Sequence, residues 1–134
     1  MKLVLNLTSF CVLLSVAFAS CNKDRYPQQP QPARIIKFQL YTAQDFSDDN
    51  KNITFSLFIR THQRTIFDST LATMKIKDIP AFENKLTFEK TVEGVYESDL
   101  AAGFHYVIEN VGNTDFIDTS RSRNTFKLID FSFQ

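Results

Sequence analysis

Two segments of this chain alternate apolar and polar residues, and this alternation constrains the fold more than any other feature of the sequence. Ile36 to Tyr41 reads Ile-Lys-Phe-Gln-Leu-Tyr, and Ile53 to Arg60 alternates in the same way. Successive side chains of a strand point to opposite faces, so the pattern predicts strands with one buried face and argues against amphipathic helices. The polar stretch Gln44 to Lys51 between them is typical of a turn. The two strands are therefore predicted to pair as an antiparallel hairpin.

Further segments rich in Thr, Ile, Val and Phe are also predicted strands. They are Arg64 to Phe67, Thr73 to Lys77, Lys85 to Lys90, Phe104 to Glu109 and Arg123 to Phe133. The three glycines are predicted at or between strand ends, and only Asp99 to Gly103 is predicted to hold a short helical turn. About seven short strands predict an all-β fold, a small antiparallel β-sandwich of immunoglobulin-like, transthyretin-like or C2-like topology. A small closed barrel is the alternative.

The first twenty residues are organised like a secretory signal. Lys2 supplies a basic start, an apolar run extends from Leu3 to Ala17, and the small residues Ala19 and Ser20 precede Cys21. The run is too short and too polar to make a comfortable membrane span, so removal of residues 1–20 as a signal peptide is predicted.

The cysteine that follows the small residues predicts a lipid anchor. Ala19-Ser20-Cys21 resembles the lipobox of bacterial lipoproteins, although Phe18 stands where Leu, Val or Ile is usual. The resemblance implies lipidation of Cys21, with acyl chains such as palmitate; the alternative is an ordinary signal cleavage that leaves a free thiol. Because Cys11 lies inside the signal, Cys21 has no disulfide partner in the mature chain, and this favours lipidation.

A spacer is predicted between the anchor and the folded domain. Residues 22–32 contain three of the four prolines of the chain and no aliphatic residue, which is typical of a stiff, extended segment. The predicted organisation is a signal peptide at 1–20, the lipidated cysteine and tether at 21–33, and a β-sandwich domain at 34–134. Lys23-Asp24 resembles the short charged export signal of Bacteroidota surface lipoproteins, with a plain tether as the alternative.

Together these features resemble the small lipoproteins of uncharacterised function found in Bacteroidota. The resemblance implies a bacterial outer-membrane location through the N-terminal lipid, on either the periplasmic or the external side. The chain carries 15 basic and 15 acidic residues, so no nucleic-acid partner is predicted.

No arrangement of residues in the sequence amounts to a catalytic motif, and the chain is predicted not to be an enzyme. Its two histidines, His62 and His105, are far apart, and no cysteine remains to complete a zinc site. His62 is predicted in a polar turn and His105 on a strand, partly exposed. An enzymatic alternative requires a cleft that holds one of them beside a carboxylate.

Two acidic segments form a candidate calcium site. One is a loop at residues 45–50 and the other is a loop at residues 113–118. The predicted ligands are Asp45, Asp48, Asp49, Asn50, Asp115 and Asp118. Ca²⁺ takes six to eight oxygen ligands, and C2-like sandwiches collect them from loops at one end. The spacing does not fit an EF-hand, so the alternative is a pair of solvated loops. No other cofactor is predicted.

Two phenylalanines in otherwise polar loops are candidate partner-binding residues. Phe46 and Phe116 are predicted either to plug the end of the sandwich or to contact a ligand or protein. Asp68-Ser69-Thr70 resembles the tripeptide that Bacteroidota O-glycosylate on envelope proteins, with Ser69 as the acceptor. The absence of Trp weakens a carbohydrate-binding interpretation.

The sequence therefore leaves three function classes open. The favoured one is a non-enzymatic, lipid-anchored envelope protein whose β-sandwich binds a protein of an outer-membrane assembly. The first alternative is a glycan- or Ca²⁺-binding surface module, and the second is an enzyme with an unrecognised site.

Overall fold

The computed structural model of this chain describes residues 30–134, of which Gln31–Gln134 form one unit. The predicted signal peptide, Cys21 and most of the tether lie outside the described residues. Eight strands follow one another along the chain: β1 (Arg34–Thr42), β2 (Asn52–Arg60), β3 (Thr65–Thr70), β4 (Met74–Lys75), β5 (Leu86–Val92), β6 (Leu100–Ile108), β7 (Gly112–Ser120) and β8 (Phe126–Phe133). Two short 3-10 turns, Ile76–Asp78 and Phe82–Asn84, lie between β4 and β5.

The strands form two sheets, which confirms the predicted β-sandwich. The first sheet has the order β5-β1-β8, with β1 antiparallel to β5 and parallel to β8. The second has the order β3-β2-β6-β7, and β4 pairs with β2 beside β3. Period-two alternation sets the inner faces: Ile36, Phe38 and Leu40 of β1 are fully buried, and the residues between them are half-buried.

The predicted hairpin between the first two strands is wrong. β1 and β2 belong to different sheets, and residues 43–51 cross from one to the other. Alternation identifies the buried face of a strand but not its neighbour. The neighbour of β1 on one side is β8, which lies about ninety residues further along the chain and pairs in parallel.

Three further local predictions, which concern β6 and β7, are wrong. The predicted loop at residues 113–118 lies within strand β7, and the segment predicted as a helical turn, Asp99 to Gly103, contains the beginning of β6. β7 is an edge strand in which only Phe116, Asp118 and Ser120 are half-buried or buried, so its sequence is polar and resembles a loop. Gly103 lies in the middle of β6, not at a strand end.

Aromatic rings from both sheets form much of the core, and they pack in edge-to-face, tilted and stacked pairs. Phe104 of β6 lies 5.7 Å from Phe38 of β1 and 5.3 Å from Phe131 of β8, measured between ring centroids. Phe55 of β2 lies 6.4 Å from both Phe104 and Phe131. Aromatic pairs in this range add to the free energy of apolar burial, so these rings tie the two sheets together.

Each open side of the sandwich is closed by a lysine. On one side Lys127 Nζ of β8 lies 2.6 Å from Asp118 Oδ2 of β7. On the other side Lys90 Nζ of β5 lies 5.0 Å from the centre of the Phe67 ring on β3. These contacts join edge strands of opposite sheets, one as an ion pair and the other as a cation–π contact.

Candidate functional site

The two ends of the sandwich differ, because the chain enters at one of them. β1 begins at Arg34, and the turn Thr61–Arg64, the loop Gly94–Asp99 and the turn that precedes β8 lie around it; we call this the entry end. The loop of residues 43–51 and the two 3-10 turns lie at the opposite end, which we call the far end. A strand of nine residues separates the ends by about 30 Å.

The acidic loop at the far end is organised by its own hydrogen bonds. Ser47 N donates to Asp45 Oδ1 at 3.0 Å, and Lys51 N donates to Asp49 Oδ1 at 3.0 Å. These backbone donors hold the pKa of Asp45 and of Asp49 below the usual range of a carboxyl. Lys51 Nζ also lies 3.1 Å from Asp49 Oδ2. The carboxylates therefore stabilise the loop itself.

A cavity of about 570 Å³ lies beside this loop. Phe46, Ile76 and Ile79 supply apolar lining, while Gln44 and Glu83 supply polar lining. The ring of Phe46 is half-buried and lies 5.3 Å from Phe133, so Phe46 closes the end of the core and also forms one wall of the cavity.

Phe82 is the exposed aromatic residue at the edge of this cavity. Half of its surface is exposed, yet its position is held: the ring is 5.0 Å from the Tyr41 ring in a T-shaped pair, and Lys85 Nζ lies 3.9 Å from its centre. Phe82 is not among the residues predicted from the sequence. The signal was present, since Ala81-Phe82-Glu83-Asn84 places a large ring among polar residues just as the Phe46 segment does.

Phe116, the second predicted partner residue, has a different position. It lies on the inner face of β7, where its ring stacks on Phe131 at a centroid distance of 4.7 Å. Phe116 therefore packs against the core from the middle of an edge strand, and not at the end of the sandwich where Phe46 lies.

The candidate calcium ligands are not gathered into one site. Asp115 and Asp118 lie on β7, not on a loop: Asp115 Oδ1 is 2.6 Å from His105 Nδ1, and Asp118 pairs with Lys127. The hydrogen bond from Lys127 lowers the pKa of Asp118. Within residues 30–134, no group of three or more His, Cys, Asp or Glu side chains is placed to hold a metal ion. Asp48 and Asn50 stay at the far end; Asn50 Nδ2 donates to Asp48 O at 3.4 Å.

His105 lies in a row of polar side chains on the outer face of the second sheet. In the strand register its neighbours are Asp115 on one side and Ser56 on the other. Ser56 Oγ is hydrogen-bonded to Thr70 Oγ1 at 2.9 Å, and the side chains of His105 and Asp115 are each 40% exposed. Ser56, His105 and Asp115 are the three residue types of a hydrolytic triad, and they are adjacent in this row. A triad also needs hydrogen-bond donors that stabilise the oxyanion in a site from which water is excluded. This row lies on an open sheet surface, so it does not provide such a site.

Ser69, the predicted glycosylation acceptor, lies on β3 and is half-buried. β3 is at the edge of its sheet, and Ser69 pairs with the buried Leu57 of β2. The hydroxyl therefore projects on the same side of the sheet as Leu57, between the exposed residues Asp68 and Thr70.

A second cavity, of about 630 Å³, opens at the entry end. It is lined by the turn that contains His62 and Arg64, by Glu97 and Asp99, and by Ser122. His62 thus shares a cleft with two carboxylates, although in the described part of the chain no hydrogen bond joins it to either. No local sequence pattern predicts this cleft, because its lining comes from three separate turns.

A buried arginine lies close to this cleft. Arg34 is fully buried; its Nη2 donates to Tyr96 O at 2.8 Å and its Nη1 to Ser120 O at 3.4 Å. Burial lowers the pKa of Arg34, and the negative charge of Asp99 opposes that shift. Arg34 therefore connects the first residue of β1 to two carbonyls at the entry end.

Comparison with family models, curated proteins and solved structures finds no match to this chain. Residues 30–134 contain no helix with the length and hydropathy needed to cross a membrane.

Proposed function

We propose that this chain is a lipid-anchored bacterial envelope protein whose β-sandwich is a non-enzymatic module that binds a protein of an outer-membrane assembly at its far end. The N-terminal sequence supports the anchor at Cys21. The tether from Cys21 joins the domain at Arg34, which is at the entry end. Anchoring through this tether leaves the far end free to approach a partner.

The observation that carries the proposal is the position of Phe82. A half-exposed aromatic ring that is held by Tyr41 and Lys85 has little conformational entropy left to lose on binding. Aromatic anchors of this kind, next to a pocket and surrounded by polar residues, are typical of the residues that dominate protein interfaces. The adjoining cavity offers Phe46 and Ile79 as apolar walls for a side chain of the partner.

A protein partner fits this end better than the alternative ligands. The chain contains no Trp, the side chain that sugar platforms usually exploit, and two of the acidic-loop carboxylates already accept local hydrogen bonds. A thermal-shift screen of the Cys21→Ser protein with Ca²⁺, chelator and a panel of glycans tests these alternatives. A ligand at a hundredfold its dissociation constant raises the midpoint by several degrees, and such a shift would replace the protein-partner proposal by the ligand-binding one.

The anchor is tested by membrane fractionation. We expect Cys21→Ser to move the protein out of the membrane fraction, because the thiol that carries the lipid is lost. Continued membrane anchoring of this variant would contradict lipidation at Cys21.

The binding end is tested by photo-cross-linking in intact envelopes. A photoreactive residue in place of Glu83, next to Phe82, is expected to give one discrete adduct with a protein, and the adduct should disappear when Phe82→Ala is added. The same photoreactive residue in place of Thr119, which is exposed on β7, is the control. Equal adducts from both positions, or an adduct that survives Phe82→Ala, would contradict the assignment. Hydrolytic turnover by the purified protein would contradict the non-enzymatic proposal.

A further inference from the structure

The arginines of residues 30–134 all lie at the entry end of the sandwich. Arg34 begins β1, Arg60 ends β2, Arg64 lies in the next turn, and Arg121 and Arg123 lie between β7 and β8. In sequence these residues are spread over ninety positions, and it is the sandwich topology that brings them together.

Three of these arginines carry no carboxylate partner within residues 30–134 and so keep guanidinium donors for an external anion, although the Arg60 Cζ lies over the Phe58 ring at 4.9 Å from its centroid. Arg123 Nε is paired with Glu97 Oε2 at 2.9 Å, and Asp99 Oδ1 accepts a hydrogen bond from Ser122 N. Arg60, Arg64 and Arg121 are exposed, and in the described part of the chain none of them forms an ion pair with a carboxylate.

The far end carries the opposite charge balance. Its acidic residues are Asp45, Asp48, Asp49, Asp78, Glu83 and Glu109, and its basic residues are Lys51, Lys75, Lys77 and Lys85. At the entry end the five arginines are opposed by three carboxylates, Glu93, Glu97 and Asp99, so the positive charge is in excess where β1 begins and the negative charge is in excess at the far end.

Exposed apolar side chains lie near the entry end, where β8 begins. Phe126 is 53% exposed and Leu128 is 39% exposed, both on the outer face of β8. Phe126 is the register neighbour of Ile35, and Ile35 N donates to Thr125 O at 2.8 Å. This apolar patch is therefore next to the point where the chain enters the domain.

We propose that the entry end docks on an anionic phospholipid surface. Arg60, Arg64 and Arg121 contact head-group phosphates, and Phe126 with Leu128 lies at the interface. Guanidinium groups bind phosphate oxygens in bidentate geometry, and an aromatic ring adds apolar burial at head-group depth. The inference rests on the lipid anchor of the proposed function.

The tether explains why a modest surface attraction suffices. The length of chain from Cys21 to Arg34 would reach about 40 Å at the rise per residue of a polyproline helix. An anchored domain therefore stays within that distance of the lipid, and the second contact forms at a high effective concentration. Docking by the entry end would turn Phe82 and the far end away from the membrane.

The absence of Trp in the chain allows a direct test. Phe126→Trp places a single indole, which absorbs at longer wavelength than the tyrosines, at the proposed interface, and Phe82→Trp is a matched control at the far end, where Phe82 is 50% exposed. The lipidated protein is reconstituted into vesicles of phosphatidylethanolamine with phosphatidylglycerol. We expect a blue shift and protection from acrylamide quenching for the indole at position 126, and neither for the indole at position 82.

Charge reversal tests the role of the arginines. Arg64→Glu, or Arg121→Glu as a second variant, should return the indole at position 126 to solvent. Lys75→Glu makes the same charge change at the far end and should leave the indole at position 126 protected from acrylamide. Added salt should weaken the docking of the parent protein, since exposed charges are screened.

Flotation with the vesicles separates failure of docking from failure of the anchor. If the protein floats but position 126 is as accessible to quencher as position 82, docking is overturned and the anchor stands. If the reconstituted protein does not float with the vesicles, the anchor and the docking that rests on it are both overturned. Protection of position 126 by an envelope extract but not by vesicles would assign the entry end to a protein partner and overturn the proposal.

Discussion

Replacing Gly103 by alanine tests how closely β6 and β7 approach each other. Gly103 lies in the middle of β6, opposite Ile117 of β7. A Cβ at this position would overlap the carbonyl oxygen of Phe116, and it would lie 2.9 Å from the carbonyl carbon of Phe116 and 3.1 Å from the Cα of Ile117. All three atoms belong to backbone, so no side chain can rotate away. The strands must separate by more than about an ångström, which disturbs their hydrogen bonds.

The expected cost follows from this overlap. Forcing extra atoms into a packed structure costs about 1–3 kcal/mol, and each weakened ladder hydrogen bond adds about 0.5–1.5 kcal/mol. We therefore expect Gly103→Ala to lower the free energy of unfolding by about 2–4 kcal/mol. For a domain of this size that corresponds to a fall in the thermal midpoint of about 10–25 °C.

The assay is urea unfolding followed by circular dichroism, with amide exchange read strand by strand. Gly94→Ala is the control: Gly94 has φ of +69° but open space around it, so this change tests only the left-handed backbone, at a cost of about 1–2 kcal/mol. We expect faster exchange in β7 and little change in β1 for Gly103→Ala. A Gly103→Ala protein as stable as the parent, with β7 fully protected, would refute the close approach.

Three further substitutions test the core and one edge of the sandwich. Leu57→Ala should lower the free energy of unfolding by about 2–5 kcal/mol in urea titrations, because Leu57 is 3% exposed on the inner face of β2; a neutral result would place that face outward. Phe116→Ala should cost about 3 kcal/mol, since its ring stacks on Phe131, and unchanged stability would contradict a core role. Lys127 lowers the pKa of Asp118, so the stabilisation by this pair is complete above about pH 4 and is lost as the pH falls through the lower folded-state pKa. Asp118→Asn should therefore remove about 0.2–1 kcal/mol near neutral pH and less in acid, measured as unfolding free energy against pH; an equal loss at every pH would contradict the linkage.

The strands with a strictly alternating sequence could be predicted, and the polar ones could not. In β1 and β2 every second side chain is buried, so the local sequence carries the whole signal. β7 buries little surface. Most of its polar residues are exposed on an edge strand, where Asp115 contacts His105. A polar edge strand and a loop have similar compositions, so the sequence of residues 113–118 predicts a loop.

The candidate sites divide in a similar way. The sequence singles out Phe46 as a ring that either plugs an end of the sandwich or contacts a partner, because a large ring in a polar loop is visible in sequence, and the same signal is present at Phe82. The position of Phe116 could not be predicted, since its stacking on Phe131 depends on how two sheets face each other.

The sequence alone determined the all-β class of this protein, because one-sided burial of a strand is encoded in residues two apart. Tertiary structure alone decided which strands are neighbours, since the parallel pairing of β1 with β8 joins segments that no local pattern connects. It also decided that Arg34 is buried and that Arg60, Arg64 and Arg121 share one end with Phe126. Charge and exposure at a surface are properties of residues brought together by the fold, and these residues are distant in the chain.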